Sequence, residues 1–585
     1  MAQQTPPRRD TIPADTTHDA RLTTHDSVAV PDSLNPDSLS PPLPPLGPPA
    51  GPLPASRRYV FDRDALHWSG ALTLGELLSL VPGVFVVRAG WYGQPETVSY
   101  AGQGATSIEL YWDGFALDPI GADSAGFDTG RFDLGQFQRV EVEVLPTVLR
   151  VHLISDAQGS RHARTETSFS SGDASTNGYR LRYMNRWRSG VGVNLGFAYF
   201  GTQGPTTSQG KVSHFQVNLR GTWMATPLAG VEFQFTANDL QRESLTPIGG
   251  GNPPIPGLDA HRNDQFVHVF AGLRPDGMGL RADAILGRVG YGDSSGTVDA
   301  STGQASLTLS WRAARWSAET WGRMRDNRNP LDVGARASWS PLRPLTITSY
   351  ARNRTLLGGG GQIELATAAE LRPVRSIALH GDLRWRQAAD TMFVASDSTE
   401  TVADWSAGAA LTARPLVVDV SYGHRGLFTA PALGLFEAQL PGVVTIASNA
   451  VQVSWQLRPR RWLTLSGWVR APTRDSVPFD PPTHSLTRLT FRSAFLPTFR
   501  RGVFDLMGLV EMEAWGTGIS GFDSTGTAVA LRGRAVFNVY VALRLVGAQI
   551  FWVMRNSQRD RYAILRGFEM PRSLQRFGIR WEFTN

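Results

Sequence analysis

The sequence predicts a mainly β protein: a transmembrane antiparallel β-barrel of about 22 strands, closed around a small α+β domain in its lumen. Three observations carry that expectation. Only 18% of residues are charged and 10% are aromatic, with 60 Gly and 17 Trp, whereas soluble domains carry about 25% charge. From residue 164 onward, segments of about ten residues alternate apolar and polar side chains, which a strand sorts onto two faces. The connections between these segments are short and long in turn, and they keep that phase down the chain.

The same composition closes other routes. With no Cys there is no disulfide scaffold, thiol nucleophile or cysteine-held metal. No run reaches about 18 apolar residues, which excludes a transmembrane helix. The net charge of +6 comes from arginines scattered along the chain, so no nucleic-acid partner is expected.

In chain order, residues 1–56 are rich in Pro, Ser, Thr and Asp, with PPLPPLGPPAGPLP at 41–54. Such a stretch cannot bury an apolar face and is expected to be a disordered spacer. The opening MAQQTPPRRD has no apolar signal region, yet Ala2, Gln3 and Gln4 read like a mature start behind a small-residue cleavage site. A removed signal peptide or a misplaced start codon is the expectation. Residues 57–157 form the α+β unit. Thr73 to Glu76 reads as a capping box that opens a short helix, ended by Pro82 and Gly83. The strands VFVV (84–87), TVSYAG (97–102), SIELYWDG (107–114), RVEVEV (139–144) and LRVHLI (149–154) follow.

Residues 158–585 are read as barrel. In 450–458, Val451, Val453, Trp455 and Leu457 share one face, and Gln452, Ser454 and Gln456 the other; 305–312, 377–386 and 463–470 repeat the pattern. The wet face carries Arg, Gln, Asp and Ser, and aromatics gather at strand ends, as in barrels with a hydrated interior and aromatic girdles. Turns such as 187–190, 312–316, 413–416 and 458–462 are short, while 240–264, 387–404, 424–449 and 515–534 are long. Short periplasmic turns and longer outer loops are the membrane-barrel arrangement. No open edge survives in lipid, so the strands must close, and so wide a lumen is usually plugged.

TLGELLSLVPGVFV, VSYAGQ and IELYWDGFALDP together resemble the plug domain of TonB-dependent outer-membrane receptors, with Pro82, Gly83, Asp113, Gly114, Phe115, Leu117 and Asp118 at motif positions. The C-terminal stretch is similar to that family's last two strands through Asn556, Tyr562, Gly567, Pro571, Phe577, Gly578 and Phe583. The resemblance implies a monomer in the outer membrane of a Gram-negative-type bacterium, surrounded by outer-membrane lipid. It implies import of a scarce small-molecule ligand (iron chelate, vitamin or oligosaccharide) driven by the TonB-ExbB-ExbD complex. It also implies a TonB box near the N-terminus, for which Asp26, Ser27, Val28, Ala29 and Val30 are the candidate. Ligand contacts are expected at the plug apices, from Trp91, Tyr92 and Gln94 in one Gly-rich loop and from Asp118 at another. Two departures stand out. Ala101, Gly102 and Gln103 occupy the place of a usual Arg-Gly, and the usual Gly-rich segment is missing after Val144. They keep open an alternative: a passive porin or structural barrel with a vestigial plug.

Each candidate also has a plainer role. Trp91 and Tyr92 could stack on a ligand ring or pack against the wall. Asp113 and Asp118 read as a turn residue and a plug hydrogen bond rather than an acid–base pair. His380 reads as a lumen histidine. No His pair has ligand spacing and no G-x-S-x-G elbow occurs, so no enzyme, cofactor or metal site is expected. The lumen arginines Arg180, Arg182, Arg186, Arg384 and Arg386 could draw anions, but pairing with acidic neighbours is the preferred reading.

Overall fold

The computed structural model describes residues 58–584 apart from 121–125, 157–161, 205–209, 249–253, 275–276, 295–298, 327–329, 356–360, 388–400, 431–442, 474–482, 496–497, 500–502 and 524. The expected spacer and the TonB-box candidate at 26–30 lie outside the described residues.

The N-terminal unit runs β1 (Arg58–Asp62), α1 (Arg63–Trp68), α2 (Leu74–Leu78), β2 (Val84–Arg88), β3 (Glu96–Tyr100), β4 (Ile108–Trp112), β5 (Phe115–Ala116), β6 (Phe137–Val144) and β7 (Leu149–Ser155). Five strands form a mixed sheet in the order β1-β6-β7-β4-β5, with β4 parallel to β7, while β2 and β3 form a separate hairpin. Local chemistry explains the boundaries. Asp62 caps α1 by accepting from the Ala65 N–H at 2.8 Å. The Thr73 hydroxyl caps α2 by accepting from the Glu76 N–H at 3.1 Å. The reciprocal half of the expected capping box is displaced by one residue: the Glu76 carboxylate accepts from the Leu72 N–H at 2.9 Å, while arginines hold it from other directions. Asp113 (φ 46°) and Gly114 (φ 89°) form the two-residue turn between Trp112 and Phe115. Positive φ at both central positions is what a type I′ hairpin demands, and Asp-Gly supplies it at low cost. Where the Gly-rich segment is missing, β6 turns directly into β7 through residues 145–148, closed by Leu145 N–H to Val148 O at 2.9 Å. Phe61, Leu74, Leu77, Leu78, Val140, Val142, Leu149, Val151 and Leu153 are sealed in one dry core, each worth roughly 1.5–3 kcal/mol of burial.

Around this unit runs a closed antiparallel barrel of 22 strands, from Arg164–Gly172 to Leu574–Thr584. The first and last strands pair, Arg164 opposite Thr584, so no edge is left open. Strand lengths run from 8 to 15 residues. The longest connections carry small hairpins of their own: Phe428–Ala430 with Val443–Thr445, Gly518–Phe522 with Ala528–Leu531, and Ala563–Leu565 with Phe568–Glu569. The first two lie inside stretches that the sequence shows only as long connections, 424–449 and 515–534, because three to five residues are too few to show a period.

The two faces of the wall differ as the alternation requires. Leu181, Phe197, Leu219, Val267, Leu286, Leu383 and Val541 point outward and are exposed. Exposed Trp187, Trp223, Trp311, Trp316, Trp462 and Trp581 stand beside the short turns, and Phe169, Tyr179, Tyr199, Phe215, Trp405 and Tyr422 toward the long-loop end. An apolar band between two aromatic belts is a lipid-facing surface. The inner face instead buries Arg, Asp, Glu and Gln against the plug.

Candidate functional site

The β2–β3 hairpin carries one plug apex to the long-loop end of the barrel. Gly90 (φ 79°) and Gly93 (φ 83°) bend it, and a Cβ on Gly90 would stand 3.2 Å from the Glu569 carbonyl oxygen. Glycine is what allows that close approach. The apex brings Trp91, Tyr92 and Gln94 together, all buried. Trp91 Nε1 donates to Thr202 Oγ1 at 2.9 Å, Gln94 Nε2 donates to the Gly210 carbonyl at 3.1 Å, and the Tyr92 hydroxyl donates to Glu76 at 2.6 Å. Asp118 lies against another stretch of wall, where it pairs with Arg325 at 3.1 Å. In this state all four side chains are spent on the barrel or on the plug itself. The motif residues have structural places too. Gly83 (φ 85°) follows Pro82 past the end of α2, and Asp113 accepts from the Ser155 N–H at 2.9 Å.

Behind Tyr92 lies a network that sequence reasoning missed. Glu76 meets Arg555 of the wall at 2.7 Å and Arg88 of the plug at 3.3 Å. The Arg88 guanidinium lies over the Tyr92 ring, 4.6 Å from its centre. Burial by itself would raise the Glu76 pKa, but Arg555, Arg88 and the Tyr92 hydrogen bond hold it down at about 2. Burial and the Glu76 charge push Tyr92 up to about 12. The network borders a cavity of about 890 Å³ that Trp515, Tyr562 and Met570 also line.

Further clamps ring the plug. Glu109 meets Arg352 of the wall at 2.7 Å and Arg150 of the plug at 3.0 Å; Glu143 meets Arg336 at 2.8 Å, and Asp64 meets Arg492 at 2.9 Å. Burial opposes the charge on Glu109, yet Arg352, Arg150 and Arg354 hold its carboxyl well below the ordinary range. Of the five lumen arginines singled out from sequence, four are paired: Arg180 with Asp133, Arg182 with Glu166 and Asp156, Arg384 with Glu364, and Arg386 with Asp404. Arg186 has no carboxylate within 4.0 Å among the described residues. His380 stands 3.1 Å from Asp419 on the inner face. Among the described residues no cluster of three or more side chains suits a metal ion.

A second cavity, about 1210 Å³, separates the plug from the wall on the side of the first and last strands. It reaches from Leu66, His67 and Arg580 toward the short-turn end to Gly93, Phe200 and Val212 at the long-loop end.

Comparisons with known proteins agree with this geometry. Residues 54–144 match the family model described as the TonB-dependent receptor plug domain. No curated protein matches the sequence. Among solved structures, the siderophore receptor PirA from Acinetobacter baumannii is similar at 9% identity and a TM-score of 0.66, over 90% of this chain and 98% of that one. The ferric enterobactin receptor PfeA from Pseudomonas aeruginosa is similar at 11% and 0.66, over 90% and 99%. The copper transporter OprC is similar at 11% and 0.65, over 93% and 100%. The chain thus carries a segment that matches the TonB-dependent receptor plug domain, seated inside a closed 22-strand barrel of the fold these receptors share.

Proposed function

We propose that the protein sits in the outer membrane of a Gram-negative-type bacterium and imports a scarce small-molecule ligand through its plugged barrel, with the TonB-ExbB-ExbD complex supplying the work. The observation that carries this reading is the way the plug is held. Glu76, Glu109, Glu143, Asp64 and Asp133 each pair with an arginine of the wall. Removing one partner of a buried pair, as at Glu76, Glu109 or Glu143, costs roughly 3–5 kcal/mol, while the partly exposed pairs of Asp64 and Asp133 hold less. Opening a path through several such clamps at once therefore calls for an external energy source. One chain encloses the whole path, so a monomer is sufficient. The similar structures are a siderophore receptor, a ferric enterobactin receptor and a copper transporter; cargo this varied means that the ligand must be argued from the site.

Residues 26–30 are the proposed TonB box, an extended segment that would add a strand to a periplasmic partner. The chain has no Cys, so Ala29→Cys gives a unique cross-linking position. It should form a disulfide with a cysteine placed in TonB. Adding Val28→Pro, which removes a backbone donor and fixes φ, should abolish that cross-link and leave the heat-modifiable gel migration of the barrel unchanged. Persistence of the cross-link would sink the box. The transport reading is tested by mass spectrometry of the medium: cells expressing the protein should deplete a solute only when TonB is present. Depletion that continues without TonB would favour the passive porin with a vestigial plug.

A further inference from the structure

The larger plug–wall cavity has an unbalanced charge. Its lining carboxylates are Asp128 and Asp133, and both are occupied, by Arg131 at 3.1 Å and by Arg180. Arg576 and Arg580 line the same space and, among the described residues, have no carboxylate partner within 4.0 Å. Their contacts are neutral. Arg576 donates to the Ser170 hydroxyl at 2.7 and 3.0 Å, and Arg580 donates to the His67 carbonyl at 2.9 Å. Other wall arginines that face the plug, such as Arg336, Arg352 and Arg488, meet a carboxylate of the plug or of the wall. His67, on the cavity edge, has a pKa well below the ordinary histidine range, through burial and then through Arg63, Arg580, Arg544 and Arg180; positive potential there disfavours another cation.

The geometry also defines a shape. Arg576 and Arg580 lie four residues apart on one face of the last strand, about 13 Å by strand rise. Gly578 between them leaves room for the Phe551 ring, over which Arg580 lies at 4.6 Å, and Arg576 lies 5.5 Å from the Phe200 ring. Two cations are thus set into aromatic walls along one passage. Both guanidinium groups are half-buried, and partial desolvation of a cation without a counter-charge is costly, so a bound anion would supply what the fold leaves out.

We propose that this passage binds an anionic ligand bearing a flat ring, an aromatic carboxylate being the simplest case, with Arg576 and Arg580 as successive anion contacts between the long-loop and short-turn ends. The proposal names the substrate class for the import reading above and rests on it.

The test uses the full chain, purified in detergent and titrated calorimetrically against a micelle blank. The probes are 2-naphthoate and its neutral counterpart 2-naphthamide. Naphthoate should bind at least tenfold more tightly than the amide, and raising salt should narrow the difference. In Arg576→Gln/Arg580→Gln, naphthoate affinity should fall at least tenfold and amide affinity should stay unchanged. Equal affinity for the two probes, or undiminished naphthoate binding in a double variant that keeps heat-modifiable migration, overturns the proposal. If the double variant does not fold, the paired probes on the unaltered protein decide alone. The titration needs no TonB, so a negative result here removes the anionic class, whereas TonB-independent solute depletion removes energised import.

Discussion

The plug and the wall that surrounds it fold by different means and carry opposite charge. Residues 58–156 hold 13 Asp and Glu against 6 Arg and Lys, a net of −7, while residues 157–585 hold 32 against 47, a net of +15. The plug has a dry core around Leu74, Leu77, Val140 and Leu149. The wall has one face toward lipid and one toward polar neighbours, so strand-to-strand hydrogen bonds dominate its stability. The difference teaches that apolar burial folds the plug and ladder pairing folds the barrel, while charge pairs, together with apolar contacts such as Phe115 on Phe266, join the two. Plug seating and barrel folding should therefore respond to different substitutions.

The strongest way to break that comparison is to remove one side of it. Deleting residues 58–156 should leave a barrel that inserts and pairs its ends but leaks, because the lumen of a 22-strand barrel is wide enough for water and small solutes when empty. Conductance in planar bilayers should rise by more than an order of magnitude over the intact chain. A small conductance unchanged by the deletion would show that this unit does not occlude the pore.

A single charge should act on seating alone. Glu109→Gln leaves Arg150 of the plug and Arg352 and Arg354 of the wall facing one another. Losing one member of such a buried cluster costs about 3 kcal/mol, although Asp332 still holds Arg352 at 2.7 Å. The plug should become protease-sensitive at lower urea concentrations, while the boiled and unboiled forms of the barrel migrate as before. Joint loss of both properties would mean that seating and barrel folding are one transition.

How much of this was legible in the sequence follows the same division. Barrel strands could be read because alternation is local: Val451, Val453 and Trp455 declare a face without reference to any other strand. The plug hairpin at Asp113 and Gly114 could be read because its turn chemistry is contained in two residues. The clamps could not. Glu109 and Arg352 are 243 positions apart, and nothing in either neighbourhood says which plug carboxylate meets which wall arginine; that depends on how the finished plug is rotated within the finished barrel. For the same reason Trp91, Tyr92 and Gln94 could be placed at an apex from sequence, while their bonds to Thr202, Glu76 and Gly210 emerge only when both units are in place. The surplus at Arg576 and Arg580 is a still later property, visible only after every other pair has been assigned.

The smallest effect sharpens the comparison from inside the plug. His152 stacks on Tyr111 with ring centres 5.0 Å apart, and neither of its ring nitrogens has a hydrogen-bond partner among the described residues. Burial lowers its pKa from 6.5 to about 4, against the raising influence of Glu143 and Glu141. The unfolded chain therefore takes up a proton below about pH 6.5 that the folded plug refuses until about pH 4, and stability falls as the pH drops through that window. Glu109 has linkage of the same sign in a lower pH window. Its depressed pKa gives stability that is present above the ordinary glutamate value and lost only well below it, so it does not titrate in the upper part of the window. His67, also depressed, adds a slope of the same sign as His152. His152→Phe keeps a ring on Tyr111 and removes one titrating group, so the urea midpoint for plug unfolding, followed by protease sensitivity, should fall less between pH 7 and 5 than in the unaltered chain. An identical slope in the two proteins would mean that His152 is solvated in the folded plug, and that the dry core ends short of the β4–β7 seam.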